Sequence, residues 1–152
     1  MVIAVEVTIE GSREEVWRVI TDIENSHRTI TGIEKVEILE KPTNGLVGLK
    51  WQETRTLFGR TATEIMWITD VKENESYKTR AESHGAVYLT SLVLSEDDNE
   101  TRLTMEFESV PQTLSAKLMA ATMGRFFAKA TKDALMQDLI DIKTAVEQAG
   151  ET

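Results

Sequence analysis

The 152-residue sequence contains no cysteine, two prolines and two histidines. The absence of cysteine excludes disulfides, thiol catalysis and cysteine-ligated zinc, and it is compatible with the cytoplasmic location that we expect. His27 and His84 stand far apart in the chain without a second ligand at metal-binding spacing, so we expect no metal site and no cofactor. Long apolar runs are also absent, so stable membrane insertion is not expected.

Basic residues are scarce relative to acidic ones, and the net charge is −9 at pH 7. Most of the excess lies in residues 1–110, because residues 111–149 are nearly balanced. An acidic surface repels a phosphate backbone, so we expect no nucleic-acid partner. The length and the apolar fraction of 41% fit one globular domain, which we assign to residues 1–150.

The periodicity predicts one strand, two short helices, six further strands and one long helix. Residues 2–10 alternate as a strand does, and Ser12 with Glu15 has the spacing of a capping box at a helix start. A short second helix or turn is expected before Gly32. Six strand-like runs joined by short turns then predict antiparallel hairpins over residues 33–41, 46–57, 61–71, 76–83, 86–96 and 100–110.

The closing helix, predicted over residues 117–148, changes character along its length. Its second half carries a regular apolar stripe at Leu135, Leu139, Ile142 and Val146. In the first half the same stripe continues through small residues flanked by Met and Phe, namely Ala121, Gly124, Ala128 and Thr131 with Met119, Met123 and Phe127. We interpret this half as the roof of a cavity, which a larger side chain at Gly124 or Ala128 would fill. The alternative is that small residues let the helix approach the strands closely.

Two neighbouring strands carry polar residues on an otherwise apolar face. Trp51, Glu53 and Arg55 share one face, and Glu64 and Met66 lie on the matching face of the next strand. If that face is concave, the three charged residues must pair, and they form a polar spot suited to a ligand carbonyl or hydroxyl. Otherwise they are ordinary cross-strand ion pairs in solvent.

Other strands supply further candidates for the lining of the cavity. Met105 and Phe107 lie on a clean apolar face, and Tyr77 offers a hydroxyl, although a core tyrosine bonded to the backbone fits equally well. The faces of residues 86–96 cannot be assigned, because neither is clearly apolar. The candidate ligand-binding residues are therefore Trp51, Glu53, Arg55, Glu64, Met66, Tyr77, Met105, Phe107, Met123 and Phe127.

Several segments resemble the START/Bet v 1 (SRPBCC) superfamily, and in particular its polyketide cyclase/dehydrase and lipid-transport-like branch. They are "VTIEGSREEVWRVITDIE" (7–24), "VEILE" (36–40), "GLKWQETRTLFGRTATE" (48–64) and "DLIDIKTAVE" (138–147). The resemblance implies an α+β helix-grip fold, in which a seven-stranded antiparallel sheet curls around a long C-terminal helix, with two short helices between strands 1 and 2. It also implies a hydrophobic ligand pocket between sheet and helix, and it does not imply a reaction.

Three functions remain open, and the first is preferred. The chain binds, transports or sequesters a small hydrophobic lipid-, polyketide- or quinone-like ligand. Alternatively it is a cyclase/dehydratase-type enzyme that uses Glu53 or Glu64 as general base, with Arg55 stabilising an enolate. In the third hypothesis it is a protein-interaction module, such as a chaperone or quinone-pathway accessory, with an exposed apolar patch and an unidentified protein partner.

Overall fold

The computed structural model describes residues 1–57 and 59–151, and Phe58, part of the predicted 58–60 turn, lies outside the described residues. The described part of the chain forms seven strands, three α-helices and one short 3-10 turn at Ile23–Asn25. In chain order the elements are β1 (Val2–Glu10), α1 (Arg13–Ile20), α2 (Ser26–Thr29), β2 (Ile33–Glu40), β3 (Lys50–Leu57), β4 (Arg60–Lys72), β5 (Ser76–Ser83), β6 (Ala86–Asp97), β7 (Glu100–Pro111) and α3 (Leu114–Gly150).

All strands join one antiparallel sheet in the order β1-β7-β6-β5-β4-β3-β2. Strands β2 to β7 are neighbours in sequence and in space, as short hairpin connections require. The chain then places β1 beside β7, where the two pair from Val2 with Glu108 to Glu10 with Glu100. The sheet, the long C-terminal helix and the short helices between β1 and β2 confirm the predicted α+β helix-grip fold.

Helix α1 begins and packs as its sequence predicts. The hydroxyl of Ser12 accepts a hydrogen bond from the backbone N–H of Glu15 at 3.2 Å, which satisfies one of the free donors of the first turn. Val16, Trp17 and Ile20 form its buried stripe. Helix α1 therefore closes one side of the sheet with a face of large apolar residues.

The start of α3 is fixed by the β5–β6 hairpin. Thr113 caps the helix by accepting a hydrogen bond from the N–H of Ala116 at 3.2 Å, so the helix begins three residues earlier than predicted. The N–H groups of Gln112 and Thr113 both donate to the carbonyl of Gly85. Gly85 has φ +74°, and a Cβ there would collide with the Thr113 side chain, so this contact requires glycine.

The two halves of α3 have different surroundings. Leu139, Ile142 and Val146 are at most 3% exposed and join the main core with residues of β1, β7 and α1. The first half instead presents large apolar side chains to solvent, including Leu114, Leu118, Met119 and Phe126. No helix in the described ranges is both long enough and apolar enough to cross a bilayer.

Candidate functional site

A cavity of about 380 Å³ lies between the concave face of the sheet and α3. Strands β3 to β7 supply one wall, the segment from α1 to the start of β2 supplies another, and the middle of α3 covers it. Most lining side chains are aliphatic, aromatic or Thr, and the charged exceptions among the described residues are Glu53, Arg55, Glu64 and Asp138. The arrangement is that of an apolar pocket with a few placed polar groups, which is typical of small-molecule sites.

Eight of the ten candidate residues line this cavity, and two do not. The eight are Trp51, Glu53, Arg55, Glu64, Met66, Tyr77, Met105 and Phe107. Met123 and Phe127 lie outside the lining, and they are 44% and 38% exposed. The prediction for these two fails because α3 contributes to the cavity only from Ala130 onward.

The small-residue roof exists and includes the predicted Thr131, but its other members lie further along the helix than predicted. Ala130, Thr131 and Ala134 line the cavity, followed by Leu135. A Cβ added at Gly124 would meet no atom within 4 Å, so Gly124 neither faces the cavity nor allows close packing. Both sequence-based interpretations of Gly124 are therefore wrong, and Ala128 is likewise outside the lining.

The charged residues of β3 form an ion-pair cluster with α3. Arg55 Nε donates to Glu53 Oε2 at 2.6 Å, and its two terminal nitrogens donate to Asp138 Oδ1 and Oδ2 at 3.1 and 2.6 Å. The Glu53 and Asp138 side chains are 10% and 5% exposed, so the cluster is nearly dry. Buried charges need this kind of multiple hydrogen bonding to be tolerated.

For both Arg55 and Asp138, burial and ion pairing shift the pKa in opposite directions. Burial would lower the pKa of Arg55, but the hydrogen bond and charge of Asp138, with those of Glu53, raise it above its ordinary value. Burial raises the pKa of Asp138, and the Arg55 guanidinium offsets only part of that effect. Arg55 therefore stays protonated, and the carboxylates of Glu53 and Asp138 neutralise its charge.

Glu64 stands apart from that cluster. It lies directly opposite Glu53 in the register of β3 and β4, and it bonds to another residue, accepting a hydrogen bond from Ser83 Oγ at 2.7 Å. Its second oxygen, Oε2, is buried and has no hydrogen-bond partner among the described residues. The expected three-charge spot of Glu53, Arg55 and Glu64 is thus two sites, because Asp138 takes the place expected for Glu64.

Tyr77 is a core tyrosine at the cavity wall. Its hydroxyl donates to the carbonyl of Ile20 at 3.1 Å, one of the carbonyls left free at the end of α1. Burial, and to a smaller extent the charge of Glu53, raises the pKa of Tyr77. The ring of Trp17 meets that of Tyr77 edge to face at 6.1 Å. The Tyr77 hydroxyl therefore connects β5 to the end of α1 through this hydrogen bond.

The sequence interpretation missed four lining residues of note. Tyr88, Thr90 and Leu92 of β6 face the cavity, although neither face of this strand could be assigned beforehand. Asp138 was also missed, yet a signal was present: it lies three residues after Leu135 and four before Ile142, within the apolar stripe of α3. An acid at such a position needs a buried cation, and Arg55 provides it.

The site has no grouping suited to a metal ion. Among residues 1–57 and 59–151, no three His, Cys, Asp or Glu side chains cluster so as to hold one.

Comparison by sequence places the chain near one family. The family model described as "Polyketide cyclase / dehydrase and lipid transport" matches residues 2–147. No curated protein matches the chain in sequence.

Solved structures share the fold over nearly the whole length. A START superfamily protein from Mycobacterium smegmatis is 16% identical with a TM-score of 0.81, covering 97% of this chain and 98% of its own. Ara h 8.0201 is 16% identical with a TM-score of 0.70, covering 97% and 98%. The Zhui aromatase/cyclase from Streptomyces sp. R1128 is 17% identical with a TM-score of 0.71, covering 97% and 94%. At these identities the likeness shows the fold alone.

Proposed function

The chain belongs to the polyketide cyclase/dehydrase and lipid transport family, and we propose that it binds a small hydrophobic molecule between sheet and helix. The ligand is lipid-, polyketide- or quinone-like, and the protein transports or sequesters it. The proposed compartment remains the cytoplasm, on the grounds of the cysteine-free sequence.

The observation that carries this proposal is the cavity itself. Its volume of about 380 Å³ falls in the lower part of the range of about 300–1,000 Å³ that small-molecule pockets occupy. The helix covers it with Ala130, Thr131 and Ala134, where larger core residues would remove the space. A concave, largely apolar space of this size, partly open to solvent, is the usual form of a small-molecule site, so it is suited to an occupant.

The state of Arg55 supports binding over catalysis. Its Nε and both terminal nitrogens are engaged by Glu53 and Asp138, and these two carboxylates more than balance its charge. A guanidinium held in this way contributes little to stabilising an enolate, because two carboxylates already neutralise the positive charge that the role needs.

A catalytic alternative is supported by the free oxygen of Glu64. A general base must reach a proton on the substrate, and Glu64 Oε2 is unpartnered beside the cavity, whereas both oxygens of Glu53 accept hydrogen bonds. The structural neighbours include aromatase/cyclase proteins, so this reaction class stays a second candidate. Of the two carboxylates considered from the sequence, Glu64 is therefore the candidate. In this case the protein would convert a linear polyketone to a cyclised product, and Glu64→Gln would abolish the conversion.

The interaction-module hypothesis stays a prediction. The first half of α3 does expose an apolar face, with Leu118 at 65% and Phe126 at 62% exposure, as that hypothesis requires. The same hypothesis allowed either an empty or a filled-in cavity, so the cavity does not count against it, and the partner protein that it requires is untested.

Native mass spectrometry followed by organic extraction tests the proposed function. The gently purified protein should carry an excess mass that extracts as one small apolar compound. Purified protein freed of ligand should also bind N-phenyl-1-naphthylamine, a neutral fluorescent probe, at one site per chain. A clean mass together with no binding of this probe would overturn the proposal.

A further inference from the structure

The cavity has an unbalanced negative charge. Its charged lining residues are three carboxylates and one guanidinium, so their formal charges leave −2 on the wall. Arg55 is the single cation among the lining residues that the structure describes, and it already bonds to Glu53 and Asp138. An anionic ligand would therefore enter a poorly solvated space without a free cation to meet it.

Glu64 adds a specific unmet requirement at one place on this wall. An ionised carboxylate only accepts hydrogen bonds, and Oε2 of Glu64 is buried without a partner among the described residues. The strand neighbours on either side do not supply a donor, because Ser83 bonds to Oε1 and Glu53 is itself an acceptor. Buried polar atoms are rarely left unpaired, and Glu64 lines the cavity, so an occupant that reaches its carboxylate would supply the missing donor.

An aromatic surface lies next to this carboxylate. Partial burial, and then the charge of Glu64, raises the pKa of the Tyr88 phenol on β6, and a hydrogen bond with Ser83 offsets part of this effect. The Tyr88 and Phe107 rings stack with centroids 5.8 Å apart and planes 20° apart, and both rings line the cavity. An apolar ring of a ligand can pack there while a substituent reaches Glu64.

We propose that the ligand is a neutral apolar molecule whose hydroxyl group donates to Glu64 Oε2, and that the cavity rejects carboxylates of the same shape. This inference deepens the proposed binding function and rests on it. It selects hydroxylated polyketide-, quinol- or sterol-like molecules and disfavours fatty-acid anions. The reason is that a hydroxyl supplies the missing donor without adding charge, whereas a carboxylate supplies neither a donor nor a cation.

Three probes with the same ring system separate the contributions of the apolar ring, a hydroxyl group and a negative charge to binding. Naphthalene has no polar group, 2-naphthol adds a neutral hydroxyl, and 2-naphthoate adds an anion at neutral pH. Each would compete with N-phenyl-1-naphthylamine on the wild-type chain. We expect 2-naphthol to bind about tenfold more tightly than naphthalene, the effect of one hydrogen bond to a charged acceptor. We expect 2-naphthoate to bind at least about tenfold more weakly than 2-naphthol.

Glu64→Gln tests whether this selectivity belongs to Glu64. The substitution keeps the shape, removes the charge and adds a donor, so the affinity for 2-naphthoate should rise about tenfold relative to naphthalene. Glu82→Gln is the matched control, because Glu82 is exposed on the outer side of the next strand and pairs there with Arg80. It changes the net charge equally and should leave the order of the three probes unchanged.

The possible outcomes distinguish failure of the hydroxyl inference from failure of the proposed binding function. If 2-naphthoate binds wild-type protein as tightly as 2-naphthol, or if both Gln variants behave alike, the hydroxyl inference fails while binding stands. If no probe, naphthalene included, displaces the reporter or binds the cavity, the binding function itself fails and the inference with it.

Discussion

Arg55 on β3 and Asp138 on α3 are joined by two hydrogen bonds, at 3.1 and 2.6 Å, that tie the helix to the sheet beside the cavity. The backbone approaches the pair closely at Gly32, where a Cβ would lie 3.4 Å from an Arg55 nitrogen. One turn away, Asp141 accepts hydrogen bonds from the N–H and hydroxyl of Thr31. The two aspartates therefore hold α3 against both β3 and the segment before β2.

Replacing Asp138 should reveal the energy of this connection. Asp138→Ala is expected to lower the free energy of unfolding by about 1.5–3 kcal/mol, because it removes the bidentate partner of Arg55 while Glu53 still balances its charge. Urea denaturation measures the loss. Asp133→Ala is the control on the same helix, since Asp133 is 67% exposed and pairs with Lys129 at the surface. That variant should lose no more than about 1 kcal/mol. Equal losses would show that the buried pair contributes nothing special.

Removing the Tyr77 hydroxyl should weaken the attachment of α1. Tyr77→Phe leaves the Ile20 carbonyl without its 3.1 Å donor in a buried place, which is expected to cost about 1–3 kcal/mol of unfolding free energy. Tyr88→Phe makes the same chemical change on a half-buried ring and should cost less. Thermal unfolding of both variants compares them. A larger loss in the Tyr88 variant would contradict the assignment.

Glu147 should make stability depend on acid pH. The N–H of Glu10 at 3.0 Å and then the ammonium of Lys143 at 2.6 Å lower the pKa of this carboxyl below its ordinary 4.5. Folding therefore favours the ionised form of Glu147. Its contribution to the free energy of unfolding is fully present above the unfolded pKa of 4.5, and it is lost as the pH falls through the lower pKa of the folded chain.

Glu147→Gln tests this dependence. The variant should be less stable than wild type near neutral pH, and the difference should shrink as the buffer is taken from about pH 7 to about pH 3. Glu106→Gln, on an exposed residue of β7, should show a difference that changes little over the same range. If the gap for the Glu147 variant widens in acid, the pKa of this carboxyl is not lowered by folding.

Two alanines of α3 provide a matched pair of variants that tests whether the ligand binds in the cavity. Ala134 lines the cavity and Ala128 does not, although both lie in α3 and neither is fully exposed. Ala134→Leu should weaken N-phenyl-1-naphthylamine binding by about tenfold or more, because the added carbons occupy ligand space. Ala128→Leu makes the same change in volume and helix propensity and should bind the probe as wild type does. Loss of binding in both variants, with the fold intact by circular dichroism, would place the ligand elsewhere.

Much of the fold could be predicted from local patterns. Strands β1 and β5 have the predicted bounds, and α1 begins after Ser12 as its capping spacing indicates. Strand β3 begins at Lys50 and not at residue 46, because residues 46–49 form a turn closed by the Leu49 N–H on the Leu46 carbonyl. The alternation of apolar residues continues through such a turn, so periodicity alone does not reveal it.

The site was harder to predict, since it depends on how distant elements cross. The inward face of β3 with Trp51, Glu53 and Arg55 follows from alternation within one strand. The partner of Arg55 does not, because Asp138 is 83 residues away in sequence and meets it only through the angle of α3. The same angle decides that the roof starts at Ala130, while Met123 and Phe127 lie beyond the cavity.

The two halves of α3 are buried to different extents, and this difference affects how readily each half unfolds locally. Its C-terminal half is fixed by Leu139, Ile142 and Val146 in the core, whereas the half from Leu114 to Phe127 has few buried side chains. Helical amides that lack such packing open without unfolding of the whole protein. We therefore expect hydrogen–deuterium exchange to run as a gradient along one continuous helix, fastest before Phe127 and slowest around Ile142, with ligand slowing mainly the turns between Ala130 and Asp138.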